Sequence, residues 1–236
     1  MTVPRVLAHR GATAMAPENT VQAFVAASAA GADGVELDLH RTVDGGLVVH
    51  HDAGARGLGV LAEHTEAEIR AARPEIPTLD EALEACAGML VNVEVKNLPG
   101  DADYDPAESV AIGVVELLTR RNRRDEVLVS SFNLESADRV RELDASIPTG
   151  FLTLVGMDPI DAVQLAHTHG HGAVHPDVRA LTGAVAAATV TRAHELGMTV
   201  NVWTVNDEDE MRRLAGAGVD AVITDVPDIA RRVLTA

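Results

Sequence analysis

Apolar positions along the chain fall into two alternating patterns. Short runs rich in Val, Leu and Ile, such as Leu90–Val95 and Ala221–Thr224, have the length and β-branched character of buried strands. Ala-rich stretches between them read as helices, and no linker interrupts the alternation. The spacing predicts strands over Arg5–Ala8, Val35–His40, Leu90–Val95, Val127–Ser130, Thr149–Leu154, Gly172–His175, Thr199–Thr204 and Ala221–Thr224. Helices are predicted over Val21–Ala30, Leu79–Ala87, Ala107–Arg121, Leu134–Leu143, Pro159–His167, Ala184–Leu196, Asp207–Ala215 and Pro227–Leu234. Asn19 and Thr20 suit the N-cap of the first helix, and Gly31 suits the position just past its end. The joints Ala30-Gly31-Ala32-Asp33-Gly34-Val35 and Ala217-Gly218-Val219-Asp220-Ala221-Val222 resemble each other. Each reads as a helix end, a tight turn and a buried strand.

Eight strands, each followed by a helix, in 236 residues form the pattern of a (β/α)8 TIM barrel, with residues 1–236 as a single α/β domain. The other α/β arrangement, a doubly wound open sheet, would carry a glycine-rich phosphate fingerprint after its first strand. Gly11 stands alone there. After Val35–His40 the turn Asp44-Gly45-Gly46 leads into Leu47–His50, an extra strand or hairpin extension that opens a short insertion.

In such a barrel, chemistry sits where strands end and βα loops begin. Those ends carry His9-Arg10, Glu36, Asp38, Glu94, Lys96, Ser130-Ser131, His175, Trp203-Thr204 and Thr224-Asp225, whereas the opposite ends are mostly Gly, Ala and Val. This one-sided placement points to an enzyme. Glu36 and Asp38 are two apart on a strand and share a face, as do Glu94 and Lys96. If those faces meet, three carboxylates converge beside one ammonium. Buried carboxylates repel one another unless a cation joins them, and all-oxygen ligation suits Mg²⁺ or Ca²⁺ rather than zinc. The bland alternative is that Glu36 and Asp38 cap turns and pair with Arg10 or Arg41. His9 and His51 are the candidate acid–base pair. Asp52 either orients His51 or starts a turn, and the adjacent His50 points the other way. His175 is open to either substrate contact or a structural role. Trp203 is the best aromatic for the wall of a substrate pocket, with a core role as its alternative.

Composition narrows the partners. The 36 acidic residues outnumber the 19 basic ones, for a formal net charge of −17, which argues against binding nucleic acid through overall charge. Among the basic residues only Lys96 is a lysine. The sole cysteine, Cys86, excludes an intramolecular disulfide. The N-terminal residues do not resemble a signal peptide, and no apolar run approaches the roughly 20 residues needed to span a bilayer. A soluble, cytoplasmic protein without stable membrane association is expected. The histidines His167, His169 and His171 resemble a metal tract but precede strand six on the face away from the site, where a solvated turn is expected.

At this point the motifs carry a resemblance. His9-Arg10-Gly11 with Ala16-Pro17-Glu18-Asn19-Thr20 resembles the N-terminal signature of the glycerophosphodiester phosphodiesterase family. Similar to family motifs, and in the same order, are Val35–Leu39, Asp44-Gly45, His51-Asp52, Asn92–Lys96, Ser130-Ser131-Phe132, Trp203–Asn206 and Gly218–Asp225. The resemblance implies a TIM barrel that uses a divalent metal to hydrolyse small glycerophosphodiesters to glycerol 3-phosphate and an alcohol. It implies Glu36, Asp38 and Glu94 as metal ligands, His9 and His51 as the acid–base pair, and Arg10 and Lys96 as phosphate holders. The segment from Ala53 to Pro77 departs from the family, being short and loose where the family often has a Leu-x-Arg-Thr pattern. The head-group preference is therefore left open. Other readings are a phosphatidylinositol-type phospholipase C or D, marked by an apolar rim, a metal-dependent barrel lyase or aldolase, and a non-catalytic barrel that binds a phosphate ligand.

Overall fold

The computed structural model of the chain describes residues 3–235. Its first part contains β1 (Arg5–His9), α1 (Val21–Ala29), β2 (Gly34–Arg41), β3 (Leu47–Val49), β4 (Gly54–Ala55), β5 (Gly59–Val60), α2 (Glu66–Ala72) and α3 (Leu79–Ala85). The middle contains β6 (Leu90–Val95), α4 (Ser109–Arg121), β7 (Val127–Ser131), α5 (Leu134–Leu143), β8 (Thr149–Thr153) and α6 (Pro159–Thr168). It ends with β9 (Ala173–Pro176), α7 (Val185–Glu195), β10 (Thr199–Val202), α8 (Glu208–Ala217), β11 (Ala221–Thr224) and α9 (Pro227–Thr235).

Strands β1, β2, β6, β7, β8, β9, β10 and β11 pair in parallel, and β1 pairs with both β11 and β2. The sheet closes into the expected TIM barrel. β3 is the hairpin extension, antiparallel to β2 with Arg41 opposite Leu47. Outside the barrel, β4, β5 and α2 form the insertion over a small core of Val48, Ala55, Leu61, Ile69 and Ile76. Helix α2 is absent from the sequence expectation, although Thr65 and Glu68 form a complete capping box at its start. β10 leaves the ladder at Val202, two residues earlier than expected, and Trp203 keeps only a single bridge to Asp177.

Alternation along the strands separates core from site. On β2, Val35, Leu37 and Leu39 point outward into the apolar layer with Phe24 and Leu83, so Glu36 and Asp38 point inward. Each fully buried Val or Leu contributes about 1.5–3 kcal/mol. A one-residue slip would forfeit that and press the carboxylates against the helices, so the register is firmly set. Pairing then places His9 beside Glu36, Asp38 beside Glu94, and Glu94 beside Ser130. Among the described residues no helix is long and apolar enough to cross a membrane.

Candidate active site

The C-terminal end of the barrel gathers the inward polar side chains of β1, β2 and β6. At the end of β1 the chain turns sharply through Arg10 (φ 55) and Gly11 (φ 84). A Cβ on Gly11 would sit 2.6 Å from that of Ala23, so only glycine lets the turn lie on α1. The left-handed backbone of Arg10 aims its N–H at Glu36 Oε2, 3.0 Å away. Asn19, also left-handed, donates its amide to Asp38 Oδ2 at 2.8 Å instead of capping the helix, and Thr20 takes the N-cap.

Glu36, Asp38 and Glu94 are all buried, and one oxygen from each lies within 4.8 Å of the others. Lys96 Nζ bridges two of them, 3.1 Å from Asp38 Oδ1 and 2.7 Å from Glu94 Oε1. Arg10 Nε approaches Asp38 Oδ2 at 3.2 Å, and its Nη1 holds Glu18 Oε2 at 2.9 Å. Burial opposes ionisation of Asp38, but the charges of Lys96 and Arg10 outweigh it and hold its pKa below the ordinary value. Glu36 differs. Burial, and then the charge of Asp38, push its pKa up to about 8. Its Oε1 is buried without a hydrogen-bond partner among the described residues. An orphaned carboxylate oxygen in a ring of three carboxylates is a donor set that fits a hard divalent cation.

His9 donates from Nδ1 to Asp225 Oδ1 at 2.8 Å, which leaves Nε2 facing Glu36 Oε2 at 4.0 Å. Asp225 also accepts from Thr13 Oγ1 at 3.2 Å and from Asn206 Nδ2 at 2.6 Å. Burial works against a charged His9 ring, yet the Asp225 hydrogen bond and the Glu36 charge raise its pKa above the ordinary value. Asp225 is held down to about 2, chiefly by that same bond. His51 pairs through Nδ1 with Asp52 at 2.7 Å in the loop after β3. Its pKa is lowered by burial, with Lys96 and Arg10 adding to burial and Asp38 opposing it. His50 turns back to the carbonyl of Asp52 at 2.9 Å.

Over the carboxylates is a hollow of about 20 Å³ bounded by His9, Glu36, Glu94, Leu152, Trp203 and Ile223. A larger cavity of about 510 Å³ lies at the opposite end of the barrel among Leu7, Leu90, Leu128 and Asn201, with Arg5, Asp125 and Asp220 also in its lining. Trp203 lines the hollow, packs edge-on against Phe132 at 5.4 Å, and donates its indole N–H to the carbonyl of His175 at 2.8 Å. His175 itself has no exposed surface, and burial drives its pKa down to about 3. Of the expected pocket pair, Trp203 lines this hollow and His175 lies buried behind it.

Three partnerships have no counterpart in the sequence reading. Asp225 as the partner of His9 had a signal, since it ends the last strand. Asn19 was legible only as a cap. The third is a buried pair, His40 Nδ1 to Asp103 Oδ2 at 2.6 Å, whose other ring nitrogen lies 3.2 Å from the carbonyl of His51. No local pattern marks it, because its members are 63 residues apart.

The sequence profile of the glycerophosphoryl diester phosphodiesterase family matches residues 9–229. A glycerophosphodiester phosphodiesterase of Caldanaerobacter subterraneus subsp. tengcongensis is 32% identical over 240 residues, covering 94% of this chain and 94% of the relative. The crystal structure of a glycerophosphodiester phosphodiesterase from Thermotoga maritima superposes with a TM-score of 0.84 at 28% identity, covering 99% of each chain. An Oleispira antarctica phosphodiesterase, solved in complex with the product sn-glycerol-3-phosphate, has a TM-score of 0.86 at 26% identity and covers 99% of this chain and 98% of its own.

Proposed function

The chain belongs to the glycerophosphoryl diester phosphodiesterase family and is a phosphoric diester hydrolase; on that premise we propose that it hydrolyses glycerophosphodiesters to glycerol 3-phosphate and an alcohol, with a divalent metal and a histidine pair. The observation that carries this reading is the ring of Glu36, Asp38 and Glu94, with its orphaned oxygen, set between two cations and His9. The product complex of the Oleispira antarctica phosphodiesterase supports the choice of product.

Glu36, Asp38 and Glu94 would hold Mg²⁺ or Ca²⁺. Such an ion supplies Lewis-acid stabilisation of the charge that builds on the non-bridging phosphate oxygens. Arg10 and Lys96 add fixed positive charge at the same place and counter the repulsion between an anionic substrate and an acidic protein. The free 2-hydroxyl of the glycerol unit lies close to phosphorus in the substrate itself, so its attack needs little ordering entropy. One histidine takes the hydroxyl proton while the other protonates the leaving oxygen, giving a cyclic phosphate and the alcohol. Water then opens the ring with the two roles reversed. The pKa of His9 is raised and that of His51 lowered, the opposite directions that suit an acid and base pair. Asp225 holds the proton on Nδ1 of His9 and so keeps Nε2 toward the substrate.

A second reading, with a lipid-borne phosphodiester, is favoured by exposed Leu154, Val155, Met157 and Ile160 beside the mouth, after β8. A turnover panel of water-soluble glycerophosphodiesters and micellar lysophospholipids, assayed for release of the head-group alcohol or its phosphate, separates the two readings. Soluble diesters are expected to be the better substrates. Chelation should abolish turnover and Mg²⁺ or Ca²⁺ restore it. His51→Ala should lower kcat about 10²- to 10⁴-fold with metal binding and fold retained. Undiminished activity in that variant, or in chelator, overturns the proposal.

A further inference from the structure

The histidine tract before β9 is only in part the solvated turn expected of it, since His167 and His169 are exposed and His171 is buried. His171 is 2% exposed. Asp138, on α5, comes up against both His169 and His171, and one donor atom from each of the three lies within 4.8 Å of the others. His169 Nδ1 is 2.8 Å from Asp138 Oδ2, and its ring lies nearly parallel to that of His171, at 13°. Thr149 Oγ1 engages His171 Nδ1 at 2.9 Å. That leaves Nε2 of a buried ring aimed into the cluster, and it has no hydrogen-bond partner among the described residues.

The neighbour of that orphan is informative. Asp138 Oδ1 stands 3.2 Å from His171 Nε2, yet the two are not aligned as donor and acceptor. Two ligands of one tetrahedral ion with bonds of ~2.0–2.1 Å are about 3.3 Å apart. The pair therefore has the spacing of two corners of a metal site. Thr149 holds the far nitrogen of His171, as an outer-sphere partner of a ligating histidine does. A groove of about 330 Å³ lined by Asp138, Arg141, Glu142, Ala145 and His169 leaves a fourth position open to water. The guanidinium of Arg141 is a positive charge beside the cluster, and the Glu142 carboxylate lines the same groove.

We propose that Asp138, His169 and His171 form a second divalent-metal site, on the barrel face away from the mouth and selective for a nitrogen-preferring ion of the Zn²⁺ class. Two imidazoles and one carboxylate suit such an ion, whereas the all-oxygen ring of Glu36, Asp38 and Glu94 suits Mg²⁺ or Ca²⁺. Loading replaces the Nδ1 proton of His169 with the ion and moves that proton to Nε2. The site ties α5 to the turn between α6 and β9, and it stands independently of the reading of the mouth.

The test is a Zn²⁺ titration by calorimetry on the untagged protein, with Mg²⁺ in excess to hold the mouth ring. The wild type is compared with His169→Ala, which changes a partly exposed side chain, and with Asp138→Asn. Both variants should lose one Zn²⁺ equivalent, or bind it at least tenfold more weakly, with circular dichroism and glycerophosphodiester turnover unchanged. Co²⁺ should give the wild type the intense visible bands of a tetrahedral site, and these should be missing from both variants. Zn²⁺ isotherms and Co²⁺ spectra shared by all three proteins would leave Asp138, His169 and His171 a hydrogen-bonded cluster only, and the proposal would fall.

Discussion

His9 stands at the end of β1 and His51 in the loop after β3, and the two are held by different means. His9 is fixed across the barrel seam by Asp225, which is itself fixed by Thr13 and Asn206. Around it the strands pack three buried carboxylates against Lys96 and Arg10. His51 has an exposed partner: its side chain is 36% exposed and that of Asp52 is 74% exposed. Behind it only the backbone carbonyl is tied, by His40 and Asp103. The strand-built side of the mouth thus carries a preorganised field, and the loop-borne side carries an imidazole with freer access to water. Fixed charges stabilise a transition state without reorganising, which only the rigid half can supply.

Substitutions should divide along that line. Among substitutions that leave both histidines in place, the largest effect is expected on the strand side, where Lys96→Arg keeps the charge but replaces a compact ammonium between Asp38 and Glu94 with a planar fork. Misplacing one such charge should lower kcat about 10²- to 10³-fold; steady-state rates equal to wild type would make the lone lysine an accident of composition. Next are the two histidine partners, compared as a pair. A hydrogen bond to a charged group is worth ~1.5–3 kcal/mol, so Asp225→Asn should cost about tenfold to a hundredfold in kcat. Asp52→Ala removes an exposed pair worth ~0–1 kcal/mol and should cost less than about fivefold. Equal losses in the two variants would erase the distinction between the halves.

The last effect is one on stability and leaves turnover at neutral pH untouched. His175, beneath the strand-built half, is held neutral with a pKa of about 3 against 6.5 for a free histidine. Between those values the unfolded chain binds a proton that the folded chain does not. Stability is therefore complete above pH 6.5 and is lost as pH falls toward 3. The slope from this residue should approach ~1.4 kcal/mol per pH unit. Urea unfolding at several pH values should show that slope reduced in His175→Gln. An unchanged slope would mean that another group sets the acid limit.

The site was unevenly legible. Glu36, Asp38, Glu94 and Lys96 could be read from spacing alone, because a strand turns residues two apart to the same face whatever surrounds it. The hairpin of β3 was equally local, whereas α2 was not expected even though its Thr65–Glu68 capping box is a local signal. His175 was ambiguous for the opposite reason. Its strand-end position is compatible with a pocket wall, and only the packing of Asn201 and Gly150 around its ring makes it a buried support. The expectation of a solvated turn holds for His167 and His169 but misses the burial of His171, because nothing nearby in the chain shows that Asp138, on another element, comes to face it.

Periodicity and residue type were enough to settle the repeating strand–helix units, their apolar outer layer and the charge-bearing end of each strand, since these depend on backbone geometry within a few residues. Barrel closure decided the rest. It brings β11 against β1, and so sets Asp225 on His9 across 216 residues. It also determines which buried polar atoms find partners and which, like Glu36 Oε1 and His171 Nε2, are left without one. Those pairings depend on where distant segments meet in space, which no spacing along the chain encodes.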